Sequence, residues 1–270
     1  MSFLRQFARH AAVDLANQYA IPVRSVTGSI ISRISDTRNR PLYQACIDAA
    51  PVGKDDRVLD VGYGRGAGLR QLYDVVGQGK GILFGVERSQ YMDEVARKRF
   101  ALELSEEEKL QLHRVFDLRH MPYPNDFFDV LLHVDLIYFV KDERLEEVCR
   151  EFFRVLQPGH KVVSAMEFAW LAKLEKWGLL TKNQCDPVRY LTRLEQAGFE
   201  DVRLDYLKTS GREIQVLCGR KPEADSRYFD PEHRMELLEK DVKRQLLLDD
   251  MLNKGYKPSK EDLELLKEVK

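Results

Sequence analysis

Between Arg57 and Met166, short runs rich in β-branched residues alternate with longer stretches whose apolar positions recur every three or four residues. The runs Arg57–Val61, Gly81–Val86, Gln111–Phe116, Phe128–Val134 and Lys161–Met166 predict strands, and Ala67–Val76, Gln90–Ala101 and Arg144–Val155 predict helices. Such alternation implies βαβ units and a parallel sheet covered on both faces. Asp186-Pro187 then joins a helix N-cap to proline at the first helical position, and that helix ends at Ala197-Gly198-Phe199. Asp201–Tyr206 and Glu213–Cys218 follow as strands linked through Thr209-Ser210-Gly211. The link is too short for a crossover helix, so the two strands are expected to pair as an antiparallel hairpin at the sheet edge.

The two ends of the chain read differently. Upstream, Phe3, Leu4, Phe7, Ala8, Ala11 and Leu15 share one helical face, a polar connection runs from Ile21-Pro22 to Asp36, and a helix from Arg38 to Ala50 is closed by Pro51-Val52-Gly53. Downstream of Lys221 the charge is mixed, with Met235, Leu238 and Val242 at helical spacing in one segment and Leu263, Leu266 and Val269 in another. Three regions are expected: an N-terminal helical cap over 1–40, an α/β domain over 41–220 and a charged helical extension over 221–270. Arg5, Arg9 and His10 beside the first apolar face suggest an organelle transit peptide, but Asp14 counts against one, and the expected location is cytoplasmic.

Composition removes several classes of function. With 44% hydrophobic and 32% charged residues and a net charge of −1, the chain has the balance of an ordinary globular protein, which does not favour a nucleic-acid partner. Cys46, Cys149, Cys185 and Cys218 are scattered, suggesting neither a zinc site nor a disulfide framework, and no metal is expected. No apolar run approaches the ~20 residues of a membrane-spanning helix, so no integral membrane association is expected.

Candidate chemistry gathers at the strand ends. Val58-Leu59-Asp60-Val61-Gly62-Tyr63-Gly64-Arg65-Gly66-Ala67-Gly68 follows one expected strand and opens a helix. Glycines there permit positive φ and close approach of a ligand, while the helix N-terminus offers free N–H groups. Gly62-x-Gly64-x-x-Ala67 also fits the dinucleotide fingerprint, so the glycines alone leave an NAD-linked oxidoreductase open. Asp60 shifts the balance, because a carboxylate two residues before the first glycine repels a pyrophosphate and attracts a ligand bearing an ammonium and a sulfonium. It could also simply cap the turn. Glu87, ending the second strand, is placed to accept from ribose hydroxyls. Asp117 could accept from an adenine amine, with Leu118 and Met92 on either side of the ring.

Together these residues resemble the class I S-adenosylmethionine-dependent methyltransferases, in particular their small-molecule group, over about Pro41 to Arg220. The acid-x-Gly-x-Gly-x-Gly pattern is Asp60, Gly62, Gly64 and Gly66, with Tyr63 inside it, and the ribose acid is Glu87. Two further stretches agree: Asp117 through Met121-Pro122-Tyr123 to Asp129-Val130, and Arg154-Val155-Leu156-Gln157-Pro158-Gly159. The departures are the bulk of Tyr63 and Arg65 and the presence of His160 where a glycine often stands. The resemblance implies a Rossmann-like, doubly wound α/β fold with a seven-stranded sheet, its last strand antiparallel, and S-adenosylmethionine as cofactor.

Methyl transfer from a sulfonium is a direct displacement that depends chiefly on alignment. Where a base is needed, His133 is the first candidate and His120 the second, although His133 could equally pack beside the cofactor or in the core. Asp135 and Tyr138, beyond the fourth strand, are expected on the acceptor side. The segment lacks the Asn/Asp-Pro-Pro-aromatic signature of enzymes that methylate nucleic-acid amino groups, which leaves a small, hydrophobic acceptor by elimination. Phe168-Ala169-Trp170-Leu171 and Trp177-Gly178-Leu179-Leu180 are read as core in preference to a pocket cover. A cofactor-binding scaffold whose C-terminal helices engage a protein partner is the other reading.

Overall fold

The computed structural model describes residues 15–106, 108–209 and 211–223, together with residues 243, 247 and 258. Met1–Pro222 forms one compact unit and Glu223–Lys270 a second. The expected apolar face from Phe3 to Ala11 and the expected helices around Met235–Val242 and Leu263–Val269 lie outside the described residues.

The first unit is built on seven strands: β1 (Arg57–Val61), β2 (Ile82–Glu87), β3 (Leu110–Arg114), β4 (Phe128–Val134), β5 (Leu156–Met166), β6 (Glu200–Thr209) and β7 (Arg212–Arg220). They form one sheet in the order β3-β2-β1-β4-β5-β7-β6. The first five in that order run parallel, and β7 pairs antiparallel with both β5 and β6. The expected edge hairpin is therefore present, and its last strand in sequence, β7, is inserted between β5 and β6. Chain order reverses between β1 and β4, the place where open α/β sheets leave a crevice at their strand ends.

The helices are α1, described over residues 15–20, α2 (Val26–Ala49), α3 (Ala67–Val76), α4 (Gln90–Arg99), α5 (Ala101–Glu106), α6 (Asp142–Val155), α7 (Phe168–Lys176), α8 (Lys182–Cys185) and α9 (Pro187–Gln196). They cover two apolar faces. Leu59, Val61, Leu131 and Val162 point toward Leu145, Phe152 and Leu194 of α6 and α9, whereas Val58, Val130, Leu132 and Val163 point toward Leu42, Leu72 and Ala96 of α2, α3 and α4.

The stretch expected as a polar connection up to Asp36 is the first half of α2, which is continuous from Val26 to Ala49 and passes through Pro41. Ser25 starts it, its hydroxyl accepting from Gly28 N at 2.9 Å. Proline in a helix interior removes a backbone bond. The carbonyl that Pro41 leaves without its helical donor is that of Thr37; the next one, of Arg38, accepts from Arg212 Nη1 at 3.2 Å. The expected turn at Gln157-Pro158-Gly159 is instead an irregularity within β5: Leu156 pairs with Phe128 and Lys161 with Val130, the register shifting between them. Gly159 takes φ 79° and donates to the carbonyl of Lys221. The expected helix Gln90–Ala101 is divided at Phe100 into α4 and α5.

Candidate functional site

The turn between β1 and α3 is the most constrained backbone near the crevice. Gly62, Gly64 and Gly66 have φ of 81°, 52° and 89°, a region side chains strongly disfavour. Gly62 N donates to the Val86 carbonyl and Gly66 N to the Tyr63 carbonyl, both at 2.8 Å. Tyr63, bulky for such a loop, is turned inward: it is buried against Gly85 and its hydroxyl donates to Asp93 at 2.6 Å.

Asp60 is completely buried. Its Oδ1 accepts from the Tyr43 hydroxyl at 3.1 Å and its Oδ2 has no partner. Loss of water raises its pKa to about 8; the Tyr43 bond opposes this and the charge of Glu87 adds to it. Glu87 braces the loop: Oε2 accepts from Gly64 N at 2.9 Å, and Oε1 from Arg88 N and Ser89 N at 2.8 Å. Burial pushes its pKa up while these backbone donors pull it back.

A cavity of about 690 Å³, counting its solvent-open part, lies between the glycine turn and α2. Gly62, Tyr63, Gly64 and Arg65 form one wall, and Ser32, Asp36 and Asn39 of α2 face them. Val134, Asp135 and Tyr138, after β4, close one end with Trp170 and Leu174 of α7. The Tyr138 hydroxyl donates to Asp135, whose other oxygen pairs with Arg38. Burial raises the pKa of Tyr138, so its proton is held at neutral pH.

Met92 lines this cavity, but Asp117 and Leu118 do not; they line a neighbouring hollow with Arg88 and Val148, and Phe139 borders both. The expected sandwich of one ring by Met92 and Leu118 is thus split across Phe139. Both oxygens of Asp117 accept from Arg119, which lowers its pKa to about 2.

His133 and His120 line neither space. His133 has no exposed surface; its Nε2 lies 2.7 Å from the Tyr190 hydroxyl and its ring packs on Phe152. Strand alternation explains this, because Val134 faces the cavity and His133 must face α6 and α9. Burial lowers its pKa to about 3. His133 is thus held away from the cavity, on the opposite side of the strand from the place expected of a base or a cofactor contact. His120 sits in the turn after Asp117, its N–H donating to the Asp117 carbonyl at 3.4 Å.

Tyr43 and Asn39 fall inside the helix expected from Arg38 to Ala50, but nothing in their spacing shows that this face meets Asp60 and the cavity. The segment read as core divides: Leu171, Leu174, Leu179 and Leu180 are buried, Trp177 is exposed, and Trp170 with Leu174 covers the cavity.

Residues 58–159 match the family model of a methyltransferase domain. Residues 58–159 therefore carry a methyltransferase domain. No curated protein matches the chain by sequence. Among solved structures, the complex of the Haloferax volcanii Trm112 methyltransferase activator with a methyltransferase aligns at 19% identity and TM-score 0.57, covering 72% of this chain and 94% of the other. A phosphoethanolamine N-methyltransferase of Haemonchus contortus, bound to phosphomonomethylethanolamine and S-adenosylhomocysteine, aligns at 16% identity and TM-score 0.58, over 78% of this chain and 60% of its own. The S-adenosylmethionine-dependent methyltransferase SibL aligns at 21% identity and TM-score 0.58, over 75% of this chain and 60% of its own. At such identities the likeness is one of fold, and the chain spans less than two thirds of the last two.

His133 and Tyr190 pair inside the core, away from the cavity. Tyr190→Phe should cost roughly 1–3 kcal/mol of stability by leaving a buried nitrogen unpaired, with kcat of the folded protein unchanged. Chemical denaturation and initial rates check both; a large loss of kcat at unchanged stability would contradict the assignment. Because the folded pKa of His133 lies below its ordinary value of 6.5, the folded state binds fewer protons than the unfolded state between those values. Its contribution to stability is therefore present above that window and is lost as pH falls through it.

Proposed function

We propose that this enzyme moves a methyl group from S-adenosylmethionine to a small, apolar organic acceptor held between α2 and α7. One observation supports this above the rest: a single cavity has the glycine turn along one wall and the aromatic and aliphatic surface of Trp170 and Leu174 at its end. Donor and acceptor sites that share a cavity allow the in-line approach that displacement requires.

The residues suit the donor. A Cβ on Gly64 would meet nothing closer than 4.0 Å, so the backbone there is open to a ligand. The unpartnered Oδ2 of Asp60 is a buried acceptor awaiting a donor, and an ammonium nearby would favour its ionised form. A dinucleotide would bring a pyrophosphate toward the same carboxylate, which disfavours the NAD reading. Glu87 would have to share the Gly64 N–H to take a ribose hydroxyl. Asp117 and Leu118 serve an adenine only if it reaches past Phe139.

When bound beside the glycine turn and Asp60, S-adenosylmethionine would supply a methyl group activated by its positively charged sulfur. Among the described residues, no histidine lines the cavity. Both oxygens of Asp135 are engaged, one by Arg38 and one by Tyr138. Tyr138 therefore orients a bound acceptor rather than removing its proton, and catalysis rests on alignment and exclusion of water.

The N-terminal residues Gln18, Tyr19 and Pro22 also line the cavity, in keeping with a cap over the site. All four cysteines are free, which suits a reducing, cytoplasmic setting. Among the described residues no helix is long and apolar enough to cross a membrane. Calorimetric titration should show micromolar binding of S-adenosylhomocysteine and none of NAD; no binding of the former at millimolar concentration overturns the reading.

A further inference from the structure

We propose that the outer face of the first half of α2 is a docking surface for an anionic lipid bilayer. Its purpose rests on the reading of an apolar acceptor above, and it names where such a molecule is met.

Exposure defines the face. Val26, Ile30 and Ile34 follow one another at steps of four along α2 and are 78%, 54% and 50% exposed, with Val23, just ahead of the helix, at 52%. Steps of four advance slowly round a helix, so the side chains form one row. Isolated exposed apolar residues are ordinary, but a continuous row rimmed by polar groups marks a contact surface. Arg33 and Arg40 stand exposed beside the row, and Arg24, at its start, has 70% of its side chain exposed. Among the described residues from Val23 to Arg40, none of the exposed positions is acidic. Asp36 is turned to the cavity instead, with 10% of its side chain exposed. Residues 1–40 carry six arginines and two aspartates, a net charge of +4 in a chain whose total is −1.

This chemistry matches a bilayer. The aliphatic row enters the boundary of the acyl chains while the guanidiniums pair with the anionic headgroups above it. Nucleic acid would meet the arginines but leave the row in water. Aromatic side chains, which anchor many protein interfaces, are missing from the row.

The inner face of the same half-helix gives the contact a use. Ser32, Asp36 and Asn39 line the cavity, so a bilayer on the outer face lies one helix diameter, about 10 Å, from it. Pro22 lines the cavity as well, and the next residue, Val23, belongs to the exposed row. The connection between α1 and α2 therefore runs from the cavity rim to the docking face.

The test is co-sedimentation of the full chain with sucrose-loaded vesicles of phosphatidylcholine alone or mixed with phosphatidylserine. Binding to the mixed vesicles should be at least about tenfold tighter and should weaken as salt rises. R33Q/R40Q should lower it about tenfold by removing two cations from the surface, and V26Q/I30Q/I34Q should abolish it. The substituted side chains are all exposed, so both variants should unfold at the parent's temperature. Equal binding to the two vesicle types, or parental binding by either variant, overturns the proposal. So does a lipid-free dimer in sedimentation velocity that V26Q/I30Q/I34Q dissociates, because it assigns the row to a second copy of the chain. Titration with S-adenosylhomocysteine separates the two readings. Vesicle binding without that ligand keeps the docking face and removes methyl transfer; ligand binding without vesicle binding removes only the docking face.

Discussion

Replacing Asp60 with asparagine raises the stability of the ligand-free protein and removes most of its affinity for S-adenosylmethionine. The carboxyl is fully buried and its pKa stands at about 8 instead of 3.8. Between these values the folded state holds a proton that the unfolded state has released, so stability falls as pH rises through the window. Near pH 7 the penalty is on the order of 4 kcal/mol. Asparagine is the same size and cannot ionise, so it avoids the penalty and keeps an oxygen for the Tyr43 hydroxyl, but it offers no negative charge to an ammonium. Thermal unfolding near pH 5 and near pH 8 should show the variant's advantage growing with pH. Calorimetry should show donor affinity rising toward pH 8 in the parent, with proton release, and weak and flat in the variant. Equal affinities would remove Asp60 from the donor site; a less stable variant near pH 8 would refute its burial as a neutral acid.

Gly66→Ala should be the most damaging single-methyl change in the glycine turn. Gly66 has φ 89°, and a Cβ there would lie 2.4 Å from Cε2 of Phe100. Backbone strain and overpacking each cost about 1–3 kcal/mol, so a combined loss of roughly 3 kcal/mol is expected. Gly64→Ala provides the contrast, because its Cβ would meet nothing closer than 4.0 Å. It pays only the backbone cost, yet it should weaken donor binding by intruding on the cavity. Denaturant titration of both variants, with S-adenosylhomocysteine affinity measured alongside, separates the two effects; equal stability losses would contradict this division.

The alternation of strands and helices and the edge hairpin were readable because they depend on local signals: β-branched runs, glycine at helix ends, and a link of three residues between Thr209 and Gly211. The donor loop was readable for the same reason, since positive φ at Gly62, Gly64 and Gly66 requires glycine. The acceptor side was not. Leu131-Leu132-His133-Val134 lies in a strand buried on both faces, so no polar alternation told which way His133 points. The start of α2 was hidden by its composition. Ser32, Ser35 and Asp36 looked like loop residues because the helix turns them toward a cavity, while Val26, Ile30 and Ile34 stand exposed. The usual rule that polar side chains mark the solvent face is inverted along that half of the helix. Asp117 and Arg119, two residues apart, form an ion pair that the spacing permits but does not require.

Pro41 divides α2 into two stretches with different obligations. Beyond it, Leu42, Tyr43, Ala45 and Cys46 are locked into the core, and Tyr43 packs so tightly on Gly68 that a Cβ there would stand 2.1 Å from its ring. Before it, the residues that meet the cavity bear little of the sheet's packing. On the proposed reading, changes from Ser32 through Asn39 should alter which acceptor fits while leaving the turn at Gly62–Gly66 and its donor affinity as they are. A library randomised over that half-helix is the natural starting material for changing what this enzyme methylates.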